Sequence, residues 1–363
     1  MSQFTEQDRR WLDAATRIAA PFLGATAENP TVGALIVDAR TEVLLGRGVT
    51  ATGGRPHAET IALDAAGAAA RGATLYSTLE PCNHWGRTPP CCDAVLRAGI
   101  ARVVLGLLDP DPRTKGDSIK RFLEAGLEVV VADHQPSQRL HRGFTLRQTE
   151  NRPFVTLKLA VSADGKIGIA ELGSLAITGE IARRWTHMQR ALADAVLVGG
   201  ATAQIDDPRL TVRLKGLENR TALRVILSGA QLDTSVNLIA SLSGYPIAVL
   251  STVDTVPDVP ASVEVITVEG TDGHPDLRAS LAALSRKGIG NLLVEGGART
   301  SEGFLAAGLV DRFHLLTSEI MVGDSGVPAS AAGSIEDRLA AAGLTLVDQR
   351  ALGDDMLRTY ERA

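Results

Sequence analysis

The pattern of apolar and polar positions opens with a helix. Trp11, Ala15, Ile18 and Phe22 recur at helical spacing across residues 5–20, and Thr5 with Asp8 makes a near capping box at the start. Two short apolar runs, 32–38 and 43–49, flank a polar turn and read as strands. An Ala-rich helix (57–70), a strand (73–79), a helix (91–98), a strand (102–108), a helix (118–125) and a strand (127–131) then alternate. Alternation of this kind predicts a layered α/β domain with a largely parallel stretch of sheet.

After Asp133 the pattern loosens into a polar, basic stretch with a short helical segment at 140–146, closed by Asn151-Arg152-Pro153. A second alternating series begins at Phe154. Its strands are expected at 154–161, 195–198, 223–227, 246–250, 263–268 and 291–295, with helices at 181–192, 275–286 and 300–307 between them. Runs 312–322, 344–348 and 356–360 read as closing strands. The boundary is placed between 147 and 153, giving two α/β domains, 1–148 and 149–363, with no internal repeat.

Composition narrows the setting. The length of 363 residues fits two domains, and 45% hydrophobic with 22% charged residues is ordinary for a globular protein. A net charge of -5 and a pI near 5.9 argue against a broad nucleic-acid footprint. No apolar run has the length of a spanning helix, and the N-terminus lacks the apolar core of a signal peptide. Three cysteines, all between positions 82 and 92, do not make a disulfide framework and suit a reducing cytoplasm.

Those cysteines carry the first chemistry. Cys82 follows the apolar run 73–79 and is expected where a strand ends and a helix could begin, so that backbone N–H groups favour its thiolate. Cys91 returns after a loop stiffened by Pro89 and Pro90, which lets the two sulfurs converge. With His57 they make three ligands for zinc and leave the fourth tetrahedral position open, the arrangement of a catalytic site. Positions two apart do not share a helix face, so His57 and Glu59 enter one pocket only from the rim of a first turn. Glu59 is then free to move protons, beside a metal that lowers the pKa of its water from about 15.7 towards about 7. Histidine, x, glutamate, then Pro-Cys and a further cysteine is the signature of zinc nucleobase deaminases, although the usual second half is C-x-x-C.

His57-Ala58-Glu59 followed by TLEPCNHWGRTPPCCDA resembles the deaminase half of the bifunctional deaminase-reductases of riboflavin biosynthesis. The resemblance implies a cytidine-deaminase-like three-layer domain that hydrolyses an amino group from a diaminopyrimidinone bearing a phosphoribosylamino arm. Family spacing makes Cys91 the ligand and leaves Cys92 as a small buried apolar residue. Asn29, in Asn29-Pro30-Thr31-Val32-Gly33, resembles the family's substrate-binding turn. His84, Trp85 and Arg87 line a loop and either touch substrate or are solvated.

In the second domain, Glu295-Gly296-Gly297 lies at a strand end directly before a helix, where backbone N–H groups can meet a pyrophosphate; a simple turn is the plain alternative, and no G-x-G-x-x-G accompanies it. RPFVTLKLAVSADGKI, SLAITGE, LVGGATAQIDDPRLTVR and LLVEGG resemble, in that order, the reductase half of the same family. This implies a dihydrofolate-reductase-like α/β domain that uses NADPH to reduce the ribosyl arm to a ribityl arm. By resemblance Ala160, Thr202, Asp206 and the run Gly297, Ala298, Arg299, Thr300, Ser301, Glu302, Gly303 face the dinucleotide, and Ser174, Arg190, Leu210, Arg213 and Glu295 face the substrate. Arg190 and Arg213 suit a phosphate, and Lys158 or Glu295 could supply the proton that accompanies hydride addition. Lys158 points either to an outer face or to a pocket, and Arg183 and Arg184 read as a solvated face. The family also implies self-association through this domain, while charge and the lack of a long apolar run leave neither nucleic acid nor membrane as an expected partner.

Several positions depart from the family pattern. Ala176 stands where a tryptophan is usual, residues 171–174 replace a commoner TGES, Ser228 replaces an aspartate, and Lys115-Gly116-Asp117 replaces a G-x-G pattern. Loss of the indole removes a stacking surface from the cofactor side. Two rival readings follow, a chain whose deaminase works while its reductase is impaired, and a nucleic-acid-editing deaminase with an accessory domain.

Overall fold

The computed structural model describes residues 3–169, 175–228, 232, 235–240, 244–330 and 333–362. The chain divides into two compact units, residues 1–150 and 151–363.

The first unit has a five-stranded sheet of order β2-β1-β3-β4-β5, from β1 (Gly33–Asp38), β2 (Val43–Val49), β3 (Thr74–Ser77), β4 (Arg102–Leu105) and β5 (Glu128–Val131). β3, β4 and β5 run parallel, and β1 is antiparallel to both its neighbours. Because successive strand residues face opposite sides, Leu35 and Val37 pack on one face against Leu12 and Ala15 of α1 (Glu6–Ala19). Ala34 and Ile36 face the other, against α2 (Ala58–Ala66), Val95 of α3 (Cys91–Ala98) and Phe122 of α4 (Asp117–Glu124). The result is three layers, helix on sheet on helix. α5 (Gln135–Leu140) and α6 (Arg142–Glu150) complete the unit, where the sequence indicated one short helical segment.

The capping box forms as read. Asp8 accepts from Thr5 N at 2.9 Å while Thr5 Oγ1 accepts from Asp8 N at 3.1 Å. Asp8 also takes Arg102 in a fork, at 2.6 and 2.9 Å, and the hydroxyl of Tyr76 at 3.1 Å. That buried carboxylate joins α1 to β3 and β4. The helix expected over 57–70 ends early, because Gly67 has φ 55° and a tighter turn carries the chain to Ala70.

In the second unit the strands are β6 (Phe154–Val161), β7 (Lys166–Ile169), β8 (Ala195–Gly199), β9 (Leu223–Leu227), β10 (Ile247–Ser251), β11 (Glu264–Thr267), β12 (Gly270–Thr271), β13 (His274–Pro275), β14 (Asn291–Val294), β15 (Arg312–Thr317), β16 (Gly326–Pro328), β17 (Leu344–Leu352) and β18 (Asp355–Arg362). Among the described residues nine of them form one sheet of order β11-β10-β9-β8-β14-β6-β15-β18-β17. It is parallel from β11 through β15, and β18 and β17 close it antiparallel. The helices are α7 (Glu180–Ala191), α8 (Gly200–Ile205), α9 (Asn237–Ala240), α10 (Leu277–Arg286), α11 (Ala298–Ala306) and α12 (Ile335–Ala341). α10, α11 and α12 cover one face through Leu284, Phe304 and Leu339. Val198, Ile226 and Val249 face the opposite side, and Ala182 of α7 packs on Leu316 and Leu357.

Some expected bounds change here. The run 312–322 is strand only as far as Thr317, and β7 pairs with β16 in a small ribbon that local pattern did not show.

Candidate active sites

The first site is built on the opening turn of α2. His57 is its N-cap and Glu59 its second residue, so both side chains leave at the rim as their spacing required. Cys91 is the first residue of α3, directly after Pro89 and Pro90. Cys82 lies in the irregular segment beyond β3, and no helix begins there, which corrects the expected strand-to-helix junction. Its N–H donor comes from α3 instead: Cys91 donates its backbone N–H to Cys82 Sγ at 3.3 Å. Ligand atoms of His57, Cys82 and Cys91 all lie within 4.8 Å of one another. His57 turns Nδ1 to both sulfurs, 3.2 Å from Cys91 Sγ and 3.7 Å from Cys82 Sγ.

The electrostatics suit a cation. The Cys82 thiol is drawn down to about 4, first by its hydrogen bond with Cys91 and then, against the pull of burial, by His57 and the Cys91 N–H. Cys91, as the donor to that sulfur and itself buried, is pushed well above the usual thiol range. His57 is raised, chiefly by its hydrogen bond to Cys82. Burial raises Glu59 above the ordinary carboxylate value. His57 Nε2 and Glu59 Oε2 are buried without a hydrogen-bond partner, an expensive arrangement unless water or a ligand meets them.

Both open into a cavity of about 460 Å³ that Asn29, Cys82, His84, Trp85 and Arg87 also line. Gly54, at φ 90°, lets the backbone pass against Asn29, whose amide would collide with a Cβ there. Trp85 stands 74% exposed at the cavity, and His84 Nδ1 is 3.2 Å from Thr114 Oγ1. Sequence reasoning missed Asp109, which lines the same cavity and whose carboxyl burial pushes up to about 7. It also missed Glu80, a buried carboxylate accepting from Asp109 N, Gly116 N and Ser118 Oγ. Neither belongs to a metal-like spacing, so no local signal marked them. Cys92 is buried as expected, but its sulfur is not in apolar surroundings: Asn83 Oδ1 is 3.0 Å away and Arg121 donates to it at 2.9 Å.

The second site lies at the carboxyl ends of β6, β8 and β14. A cavity of about 320 Å³ is lined by Lys158, Ala160, Ala176, Arg183, His187, Arg190, Thr202, Asp206, Leu210, Arg213, Glu295 and Gly297 among others. A neighbouring one of about 220 Å³, mainly aliphatic, shares Thr202, Asp206 and Gly297 and adds Ala298, Arg299 and Thr300. Gly297 donates its N–H to Thr202 Oγ1 at 3.1 Å, and a side chain at Gly296 would run into Thr300. The glycine pair therefore permits close packing as well as an open helix terminus. Ser301, Glu302 and Gly303 line neither cavity: Ser301 is buried and Glu302 is ion-paired with Arg338. Ser174 and the loop 171–174 lie outside the described residues.

Arg190 lines this cavity, and its charge is paired there. Its Nε and second terminal nitrogen fork onto Glu295 at 2.5 and 3.0 Å, with both side chains about nine-tenths buried, and it donates to Thr211 O at 3.1 Å. A guanidinium so engaged would meet a phosphate in competition with Glu295. Arg213 has no side-chain hydrogen bond or ion pair among the described residues, and burial followed by the charges of Arg190 and Arg209 lowers its pKa, so an anion beside it would be welcome. Burial pushes Glu295 up, but Arg190 reverses this and holds it below the usual carboxylate range. Lys158 faces the cavity, its pKa lowered by burial. Arg183 is not simply a solvated residue, since it lines the cavity and donates to Thr178 O at 3.2 Å. His187 was missed, although its spacing from Arg183 and Arg190 places all three on one stripe of α7.

A three-ligand metal pocket with a buried glutamate, and a crevice at the ends of parallel strands, define a two-headed enzyme, one centre hydrolytic and the other of the dinucleotide type. Comparison with known proteins agrees. Residues 5–107 match the cytidine and deoxycytidylate deaminase zinc-binding region, and residues 153–357 match the RibD C-terminal domain. The riboflavin biosynthesis protein RibD of Aquifex aeolicus is 34% identical over 98% of this chain and 99% of its own. Acinetobacter baumannii RibD superposes with a TM-score of 0.86 at 30% identity, covering 99% of each chain. A Thermotoga maritima diaminohydroxyphosphoribosylaminopyrimidine deaminase/5-amino-6-(5-phosphoribosylamino)uracil reductase superposes at 0.83, also 30% identical, over 98% of this chain and 99% of that one. The chain belongs to the RibD family, the bifunctional deaminase-reductases of riboflavin biosynthesis, with zinc and NADPH as cofactors. The two folds are those the resemblance implied, and this reading is supported over both rivals.

Proposed function

We propose that residues 1–148 hydrolyse an amino group from 2,5-diamino-6-(5-phosphoribosylamino)pyrimidin-4-one and that residues 149–363 then reduce its ribosyl arm to a ribityl arm with NADPH. The observation that carries the first half is the convergence of His57 Nδ1, Cys82 Sγ and Cys91 Sγ beside the buried, unpartnered oxygen of Glu59. Two thiols and an imidazole are a donor set zinc favours, and these three residues would hold it. When bound, zinc supplies the Lewis acidity that makes water nucleophilic near neutral pH. Glu59 takes the proton of the attacking water on its open oxygen and returns it to the departing amine, a task its raised pKa suits. Asn29 offers an amide donor and acceptor to the pyrimidine edge from the cavity wall.

In the second half, Ala160, Thr202, Asp206 and Gly297 through Thr300 would face the dinucleotide, along the two cavities that share lining residues. NADPH supplies the hydride. Leu210, Arg213 and Glu295 would face the substrate, with Arg213 on its phosphate and Arg190 acting through Glu295. Of the two proton donors considered, Lys158 is favoured, because Arg190 keeps Glu295 ionised. The ordinary surroundings of such an enzyme are the cytoplasm. All three cysteines are free, and no helix of the described residues is long and apolar enough to cross a membrane. Self-association through the second domain, without nucleic acid, completes the reading.

Purified zinc-loaded protein given the diaminopyrimidinone phosphate and NADPH should release ammonia and then oxidise the cofactor. Absence of ammonia would refute the first half, and ammonia without cofactor oxidation the second.

A further inference from the structure

The metal pocket is backed by α4, an element with no part in the ligand set. The four residues Glu80 to Asn83, which carry Cys82, are fastened to it at both ends. Glu80 accepts from Gly116 N at 3.0 Å and from Ser118 Oγ at 2.7 Å. Asn83 Oδ1 accepts from Arg121 at 2.6 Å. Ser118 and Arg121 are three apart and share one face of α4, so the segment lies along that face.

Arg121 reaches further. The nitrogen that bonds Asn83 also donates to Cys92 Sγ at 2.9 Å, and its second terminal nitrogen donates to Asp93 Oδ1 at 2.6 Å. Cys92 and Asp93 directly follow Cys91 in the first turn of α3. A single planar guanidinium therefore spans from the residue after Cys82 to the two residues after Cys91. The two thiol-bearing segments meet directly through the Cys91 and Cys92 N–H groups on Cys82, and Arg121 braces both from behind with one rigid fork, a geometry lysine cannot reproduce.

We infer that Arg121 is a positioning residue that sets the separation of the two sulfurs, and through it the affinity for zinc. The inference rests on His57, Cys82 and Cys91 being the ligand set. Residues that hold ligands in place typically change metal affinity 10- to 100-fold, about the loss expected for Arg121→Ala.

The test is a chelator competition for zinc on the full chain, read beside the visible spectrum of the cobalt-substituted protein, for wild type, Arg121→Ala and Arg121→Lys. The alanine variant should release zinc about 10- to 100-fold more readily and show altered sulfur-to-cobalt charge-transfer bands, and lysine should recover part of the affinity. Thermal unfolding of the metal-free proteins separates a fold defect from a site defect. If the alanine variant melts lower yet binds zinc with wild-type affinity and spectrum, Arg121 is merely structural and the inference is overturned. If wild type itself takes up no zinc, the ligand reading fails and the inference goes with it.

Discussion

Arg190→Ala puts the electrostatics of the second site to a quantitative test. The side chains of Arg190 and Glu295 are 11% and 10% exposed, and the fork between them is two charge-assisted hydrogen bonds. Truncating the arginine leaves a buried carboxylate with Lys158, and beyond it Arg213, as the remaining cations that act on it. Breaking a buried pair costs about 3–5 kcal/mol, and the surviving lysine places the loss near the lower figure, roughly 3 kcal/mol. For a unit of this size about 1 kcal/mol moves the midpoint by roughly 2–4 °C, so a fall of about 6–12 °C is expected in calorimetry. Arg190→Met with Glu295→Leu should recover most of that loss, because neither charge is then stranded. Acid gives a second readout. Glu295 is held below its ordinary value of 4.5 in the folded state, so the unfolded chain takes up the proton more readily; the pair's contribution is complete above that pH and is lost as the pH falls through the lowered value. A single variant that melts within about 2 °C of wild type, or a double variant no better than the single, would refute the reasoning.

Three further outcomes follow from the same geometry. Glu59→Gln should keep its zinc, since Glu59 is not in the ligand set, while deamination measured as ammonia release falls roughly 10²- to 10⁴-fold. Burial pushes Asp8 up, but Arg102 and Thr5 hold it at about 2 against an ordinary 3.8; its contribution is therefore whole above about pH 4 and disappears towards pH 2, and Asp8→Asn should flatten that part of an acid denaturation profile. NADPH at about a hundred times its dissociation constant should add about 2.7 kcal/mol to the second unit, read as a midpoint roughly 5–11 °C higher, and no shift would deny it a cofactor site.

What could be read in advance was whatever the chain states locally. Cys91 through Ala98 was found as a helix with the right ends because Pro90 stands before it and Gly99, at φ 71°, stops it. Phe154 through Val161 declared a strand by its apolar content. The metal triad and Glu59 were legible because their chemistry restricts residue type at each position. The silent features are those made by distant pairing. Arg190 and Glu295 are 105 positions apart, and nothing around Arg190 distinguishes it from a cation awaiting phosphate. Arg121 lies 38 positions beyond Asn83 on a helix that reads as simply amphipathic. By sequence Cys92 reads as an apolar filler because a buried thiol is usually that, and only the fold brings a guanidinium to its sulfur.

X-ray absorption at the zinc edge of the purified, metal-loaded chain tests the ligand set most directly. One zinc per chain is expected, with two sulfur ligands at about 2.3 Å, one imidazole nitrogen at about 2.0–2.1 Å and one light atom from solvent, replaceable by a small anion. A sphere closed by four protein ligands, or a chain that loads no zinc, would contradict that ligand set.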